Sequence, residues 1–201
     1  MPDRLLADAA GIARAAELLR DGELVAFPTD TVYGIGCRAG DPTALERLFA
    51  AKRRPPEKAV PWLIASFAQV ASHGFVADER ASRLADRFWP GALTLVLRSA
   101  DGTETQAFRI PDHSVALALL AATGPLAVSS ANRSGEPETL DADDVAVAFA
   151  DSDEPSATLD GGRVPGGVAS TVLDLSGARA RLLRDGPLPR AEIEGLIGPI
   201  D

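Results

Sequence analysis

One cysteine, Cys37, stands alone in a chain of 201 residues, so no intramolecular disulfide can form. A reducing, cytoplasmic setting is the default expectation for such a chain. No apolar run approaches the roughly 18 residues needed to cross a bilayer, so no membrane partner is expected. Met1-Pro2-Asp3-Arg4 lacks the basic flank, apolar stretch and small-residue cleavage site of a secretion signal. The histidines, His73 and His113, lie far apart, and neither HExxH nor CxxC occurs. That pattern argues against a zinc site, and no protein-held metal is expected. Also missing are the GxxxxGKS or GxxxxGKT phosphate loop, the GxGxxG dinucleotide fingerprint and the GxSxG nucleophile elbow. Cys37 then reads as a small buried side chain rather than a nucleophile, and His113 as a helix-start or packing residue.

Positive charge is scarce. The 20 Lys and Arg are outnumbered by 29 Asp and Glu, for a net charge of −9. A sequence-independent nucleic-acid binder needs a broad basic face to neutralise phosphates, which argues against that class. A pocket for a small anion needs only a few local cations. The densest group is Lys52, Arg53, Arg54 and Lys58.

What is present fits an ordinary globular chain, with 46% hydrophobic and 24% charged residues. Apolar spacing at Ile12, Ala15, Ala16 and Leu19 predicts a helix over 11–21, closed by Gly22. The run Leu24-Val25-Ala26-Phe27 before Pro28 reads as a buried strand. Asp41-Pro42 offers an N-cap followed by proline at the first helical position, opening a helix through Lys52. Further strands are expected at 60–65, 92–97 and 125–129, and helices at 78–88, 113–122, 141–149 and 189–197. A Ser176-Gly177 turn joins strands at 171–175 and 180–184. Residues 150–156 read as an acidic loop. Strands interleaved with helices indicate an α/β protein, and the late strand pair suggests a mixed sheet.

Four segments carry candidate chemistry, each with a purely structural alternative. FPTDTVYGIG, residues 27–36, sets hydroxyls, a carboxyl and glycines after a strand, where α/β sheets commonly bind ligands. The alternative is a tight turn followed by a strand. KRRPPEK, residues 52–58, is either a phosphate clamp of forked Arg and point-charge Lys donors or a capped helix end. In AVSSANRSG, residues 127–135, Ser130 and Asn132 share one side if the backbone stays extended, and strand-to-turn transitions use the same residue types. The glycines of 160–167 allow close backbone approach or a flexible loop.

Their order says more than any one of them. FPTDTVYGIG, KRRPPEK, FWPGALTLVL, FRIPDH, SSANRSGEP, DGG, STVLDL and LLRDG in succession resemble the threonylcarbamoyl-AMP synthase family, over about residues 10–198. The resemblance implies a single YrdC-like (DHBP synthase-like) domain over residues 1–201, in the family's short form without a second domain. It implies an open twisted mixed sheet with flanking helices and a deep, positively lined cavity. By position, Lys52 and Arg54 match the family's KxR pair, and Ser130 and Asn132 its SxN pair. These four are the catalytic candidates. ATP is expected on Arg54, Lys58, Ser130, Asn132 and Arg184, with Thr105 on the nucleotide side. Threonine is expected on Thr31, Arg109 and Ser170, with Arg109 on its carboxylate. Arg53, Ala59-Val60, Ser129 and Glu138 depart from the family pattern.

The activity so implied joins L-threonine, bicarbonate and ATP into threonylcarbamoyl-adenylate and pyrophosphate, for modification of tRNA by downstream partner proteins. Mg²⁺ is expected to arrive with ATP. Two anions must meet, and at about 4 Å unit charges repel by about 4 kcal/mol at an effective dielectric of 20. Lys52, Arg54, Lys58, Arg109 and Arg184 are the groups expected to offset this. The rival readings are a YrdC-like paralogue with another carbamoyl acceptor and a non-enzymatic RNA-binding module. Direct tRNA binding is expected to be weak.

Overall fold

The computed structural model describes residues 3–53, 59–166 and 169–201. The first half of the chain gives β1 (Asp3–Leu6), α1 (Ala9–Arg20), β2 (Val25–Pro28), β3 (Tyr33–Arg38), α2 (Pro42–Lys52) and β4 (Trp62–Leu63). The short α3 (Ala68–Ser72), α4 (Glu79–Phe88), β5 (Leu93–Arg98), β6 (Thr105–Arg109) and α5 (Ser114–Thr123) follow. The chain then forms β7 (Leu126–Ser130), α6 (Ala142–Ala148), β8 (Ala157–Asp160), β9 (Thr171–Asp174), β10 (Arg181–Arg184) and α7 (Arg190–Ile197).

Helix starts follow local chemistry. Asp41 caps α2 by accepting from Ala44 N at 3.0 Å, with Pro42 next in line. Asp78 and Asp141 cap α4 and α6 in the same way. Arg53 closes α2 in the left-handed region with φ of 50°, a conformation that glycine adopts at least cost. The departure at Arg53 therefore carries a backbone cost.

The strands form one ten-stranded mixed sheet in the order β1-β8-β2-β3-β7-β4-β6-β5-β9-β10. Along β2 the side chains alternate between two cores. Val25 and Phe27 pack with Ala16 and Leu19 of α1 and Leu119 and Leu120 of α5. Leu24 and Ala26 pack with Leu48 of α2, Val145 of α6 and Phe149. The strand is therefore buried on both faces, which explains its unbroken apolar run. In the other half of the sheet, Leu93, Leu95 and Leu97 of β5 and Leu173 of β9 pack in one cluster with Leu84 of α4 and Ile193 of α7. The alternate residues of β5, β6 and β9 point to the opposite face, which no described helix covers. That uncovered face forms the cavity.

Strands β1, β6 and β8 were not among the sequence expectations, and the 60–65 strand shrinks to Trp62–Leu63. Pro61 has no N–H to give a ladder, which limits that strand. β3 follows the turn foreseen for 27–36. A Cβ on its Gly34 or Gly36 would stand 2.7 or 2.9 Å from Val128, so glycine lets β3 lie close against β7.

Candidate functional site

The turn after β2 is built by one hydroxyl. Thr29 Oγ1 donates to Val32 O at 2.7 Å and accepts from Thr31 N at 3.2 Å and Val32 N at 3.3 Å. This buried turn presents Thr31 to the cavity. Tyr33 then anchors the glycine segment, donating to Gly162 O at 2.8 Å and accepting from Gly161 N at 3.2 Å. Burial pushes its phenol up to about 12, so Tyr33 is a neutral brace at ordinary pH. Cys37 is buried and its thiol is likewise pushed up to about 12 by burial, which makes it unreactive.

The cavity has a volume of about 340 Å³, within the range of small-molecule sites. Its polar lining includes Thr31, Thr94, Arg109, Ser130, Ser170 and Arg184. Among the described lining residues the charged ones are Arg109, Arg184 and Glu138. Arg109 comes from the end of β6 and is nearly buried. Its Nη1 donates to Thr31 Oγ1 at 3.3 Å, its Nη2 to Asp30 Oδ1 at 2.6 Å and its Nε to Gly91 O at 2.9 Å. Arg184, at the end of β10, donates from Nε to Ser170 O at 2.9 Å and from Nη2 to Ser170 Oγ at 3.1 Å. Ser170 Oγ also lies 2.8 Å from Thr94 Oγ1. Burial and the nearby charge of Arg109 pull Arg184 below the usual guanidinium value. Two cations sharing one cavity favour an anionic occupant.

On the other wall Lys52 meets Ser130 and Asn132. The Lys52 ammonium, 2% exposed, donates to the carbonyl oxygens of both residues and lies 3.4 Å from Asn132 Oδ1. Ser130 Oγ donates to Asn132 Oδ1 at 2.6 Å, and Asn132 Nδ2 donates to Glu136 O at 2.5 Å. Of these three, Ser130 lines the cavity, whereas Lys52 and Asn132 stand behind it. Arg54 and Lys58 lie outside the described residues. Thr105 is exposed at the start of β6, opposite Arg98, and is not among the lining residues.

Several contributors have no role in the sequence reading: Thr29 as turn former, Thr94 as partner of Ser170, and Asp30 and Gly91 as acceptors for Arg109. Asp30 had a signal, a carboxyl inside the TDT motif. Gly91 had one in FWPG: a Cβ there would stand 2.6 Å from Phe88 O. Gly186 of LLRDG is similar, since a Cβ would stand 2.2 Å from Thr171 N.

An open mixed sheet with a cavity lined by two arginines on its uncovered face defines an α/β architecture suited to holding a small ligand. The Sua5/YciO/YrdC family model, described as telomere recombination, matches residues 17–186, and the chain belongs to that family. A threonylcarbamoyl-AMP synthase of Bacillus subtilis is 43% identical, covering 98% of this chain and 60% of its own length. A putative threonylcarbamoyl-AMP synthase of Mycobacterium tuberculosis is 38% identical, covering 94% of this chain and 89% of its own length. Among solved structures, Pyrococcus abyssi Sua5 complexed with L-threonine superposes with a TM-score of 0.89 at 41% identity. That superposition covers 100% of this chain and 62% of the other. The chain thus spans about 60% of the length of the Bacillus and Pyrococcus relatives.

Proposed function

We propose that the chain is an L-threonylcarbamoyladenylate synthase, a nucleotidyltransferase that uses ATP, L-threonine and bicarbonate. The observation that carries this reading is the cavity in which Arg109, Arg184, Ser130 and Ser170 converge, in a chain whose relatives bear that activity in their names. Threonine's carboxylate is assigned to Arg109 and Thr31, and its neighbourhood to Ser170 and Thr94. The phosphates are assigned to Ser130, with Lys52 and Asn132 holding that strand end in shape, and Arg184 at the mouth. Arg54 and Lys58 keep their proposed place on ATP. The threonine amine first takes up CO₂ from bicarbonate to give N-carboxythreonine. Its new carboxylate oxygen then attacks the α-phosphorus of ATP, and the bond to pyrophosphate breaks. Fixed cations offset the meeting of two anions, and holding both reactants in one hollow supplies orientation.

Mg²⁺ enters this reaction with ATP. Among the described residues no group of three His, Cys, Asp or Glu could hold a metal, and Glu138 is the one carboxylate of the lining. Such a donor set suits an ion that keeps its waters and rides on substrate phosphates. Among the described residues no helix is long and apolar enough to cross a membrane. The cytoplasm, where ATP and tRNA meet, is the proposed place of action, and other proteins would pass the threonylcarbamoyl group to tRNA. The ten-stranded sheet supports reading residues 1–201 as one domain, with a core of about 10–198. The test is pyrophosphate release from ATP that requires threonine and bicarbonate together. Release that ignores threonine would remove the assignment.

A further inference from the structure

We propose that Asp30 is a positioning residue for the amino-acid end of the cavity, acting on substrate through Arg109. The proposal rests on the reading that Arg109 receives a substrate carboxylate. It adds a residue that does not itself line the cavity.

A guanidinium has five N–H donors in a rigid plane. Arg109 gives Nε to the Gly91 carbonyl at 2.9 Å and Nη2 to Asp30 Oδ1 at 2.6 Å. Two anchors on different atoms fix the plane, where Gly91 alone would leave a hinge through Nε. Gly91 is itself held, donating from its N to Ile110 O at 2.9 Å, so the carbonyl anchor is rigid. With Nη1 on Thr31 Oγ1 at 3.3 Å, two of the five donors are left for a ligand. The Asp30–Arg109 pair is 16% and 9% exposed at the side chains, so water screens it little. Asp30 also carries a cost. Its negative charge repels an incoming carboxylate, so its removal acts in opposite directions by charge and by orientation. The orientation effect is proposed to win, because a two-point contact fails when the donor plane swings.

The experiment compares Asp30→Ala, Asp30→Asn and wild type, with thermal melting to establish folding. Threonine binding is measured by calorimetry, and KM for threonine and for ATP by pyrophosphate release. Asp30→Ala is expected to weaken threonine binding on the order of tenfold, with ATP KM unchanged within twofold. Asp30→Asn keeps an acceptor oxygen in place and is expected to fall between the two. Should Asp30→Ala not fold, Asp30→Asn carries the test with an expected rise of roughly threefold in threonine KM. A folded variant that binds threonine as tightly as wild type, or tighter, overturns the proposal. Equal rises in both KM values also overturn it. Wild-type protein that releases no pyrophosphate with threonine overturns the functional reading instead.

Discussion

Lys52 stands behind the cavity wall and Arg184 lines it, and the two cations use their charge in different ways. Lys52 is buried and ends on the backbone carbonyls of Ser130 and Asn132. It ties the end of α2 to the end of β7. Arg184 is partly exposed, lines the cavity and touches Ser170. The contrast teaches that a cation in a functional motif can serve by shaping the wall or by facing the ligand. Stability measurements separate the two.

The largest effect is expected for Lys52→Ala. Removing the ammonium orphans two carbonyls, at roughly 1–3 kcal/mol each in a buried setting. A loss of about 3 kcal/mol corresponds to a fall in Tm of roughly 10 °C for a chain of this size. An unchanged melting temperature would erase the distinction from Arg184. Arg184→Ala should leave Tm within about 2 °C, because its contacts are at the rim. Its turnover should fall on the order of a hundredfold, as for loss of one charge-stabilising donor. A variant that melts early but turns over normally would reverse the assignment of roles.

A smaller effect concerns His113, behind Asp30. Among the described residues its buried Nδ1 has no hydrogen-bond partner, and burial lowers its pKa from the ordinary 6.5 despite the nearby charges of Asp30 and Asp112. The unfolded chain then binds the extra proton first. Stability is therefore full above pH 6.5 and declines as pH falls below it, towards the folded pKa. His113→Gln should flatten that part of the stability curve, measured by urea melts at successive pH values. An unchanged slope would assign the loss to carboxylates. The smallest effect is expected for Arg53→Gly, which relieves the left-handed φ of 50°. The exposed pair with Asp151 contributes little. A gain of about 0.5 kcal/mol, or roughly 1–2 °C in Tm, is expected. A loss would show that the Arg53–Asp151 contact matters more than the backbone.

Much of the architecture could be read from local signals. Asp41-Pro42, Asp78 and Asp141 mark helix starts, and apolar runs mark β2, β5 and β7. Strands β6 and β8 were hidden because they are short and mix polar with apolar residues. In β6 only Phe108 packs in the core, flanked by Ala107 and Arg109 on the cavity, and its arginine serves the site rather than the fold. The approach of Lys52 to Ser130 and Asn132, across about 80 positions, was expected from motif order. That Lys52 would turn to carbonyl oxygens was not legible, since a side chain's acceptors depend on where distant backbone ends. Asp30's bond to Arg109 was hidden for the same reason, the two being 79 positions apart.

The central claim is that nucleotide and amino acid share the hollow between β7 and the β6–β9 region. A crystal structure with a non-hydrolysable ATP analogue and L-threonine tests it most directly. The account predicts threonine's carboxylate on Arg109 and the α-phosphate beside Ser130, within reach of each other. Either ligand bound on a different face of the sheet would contradict it.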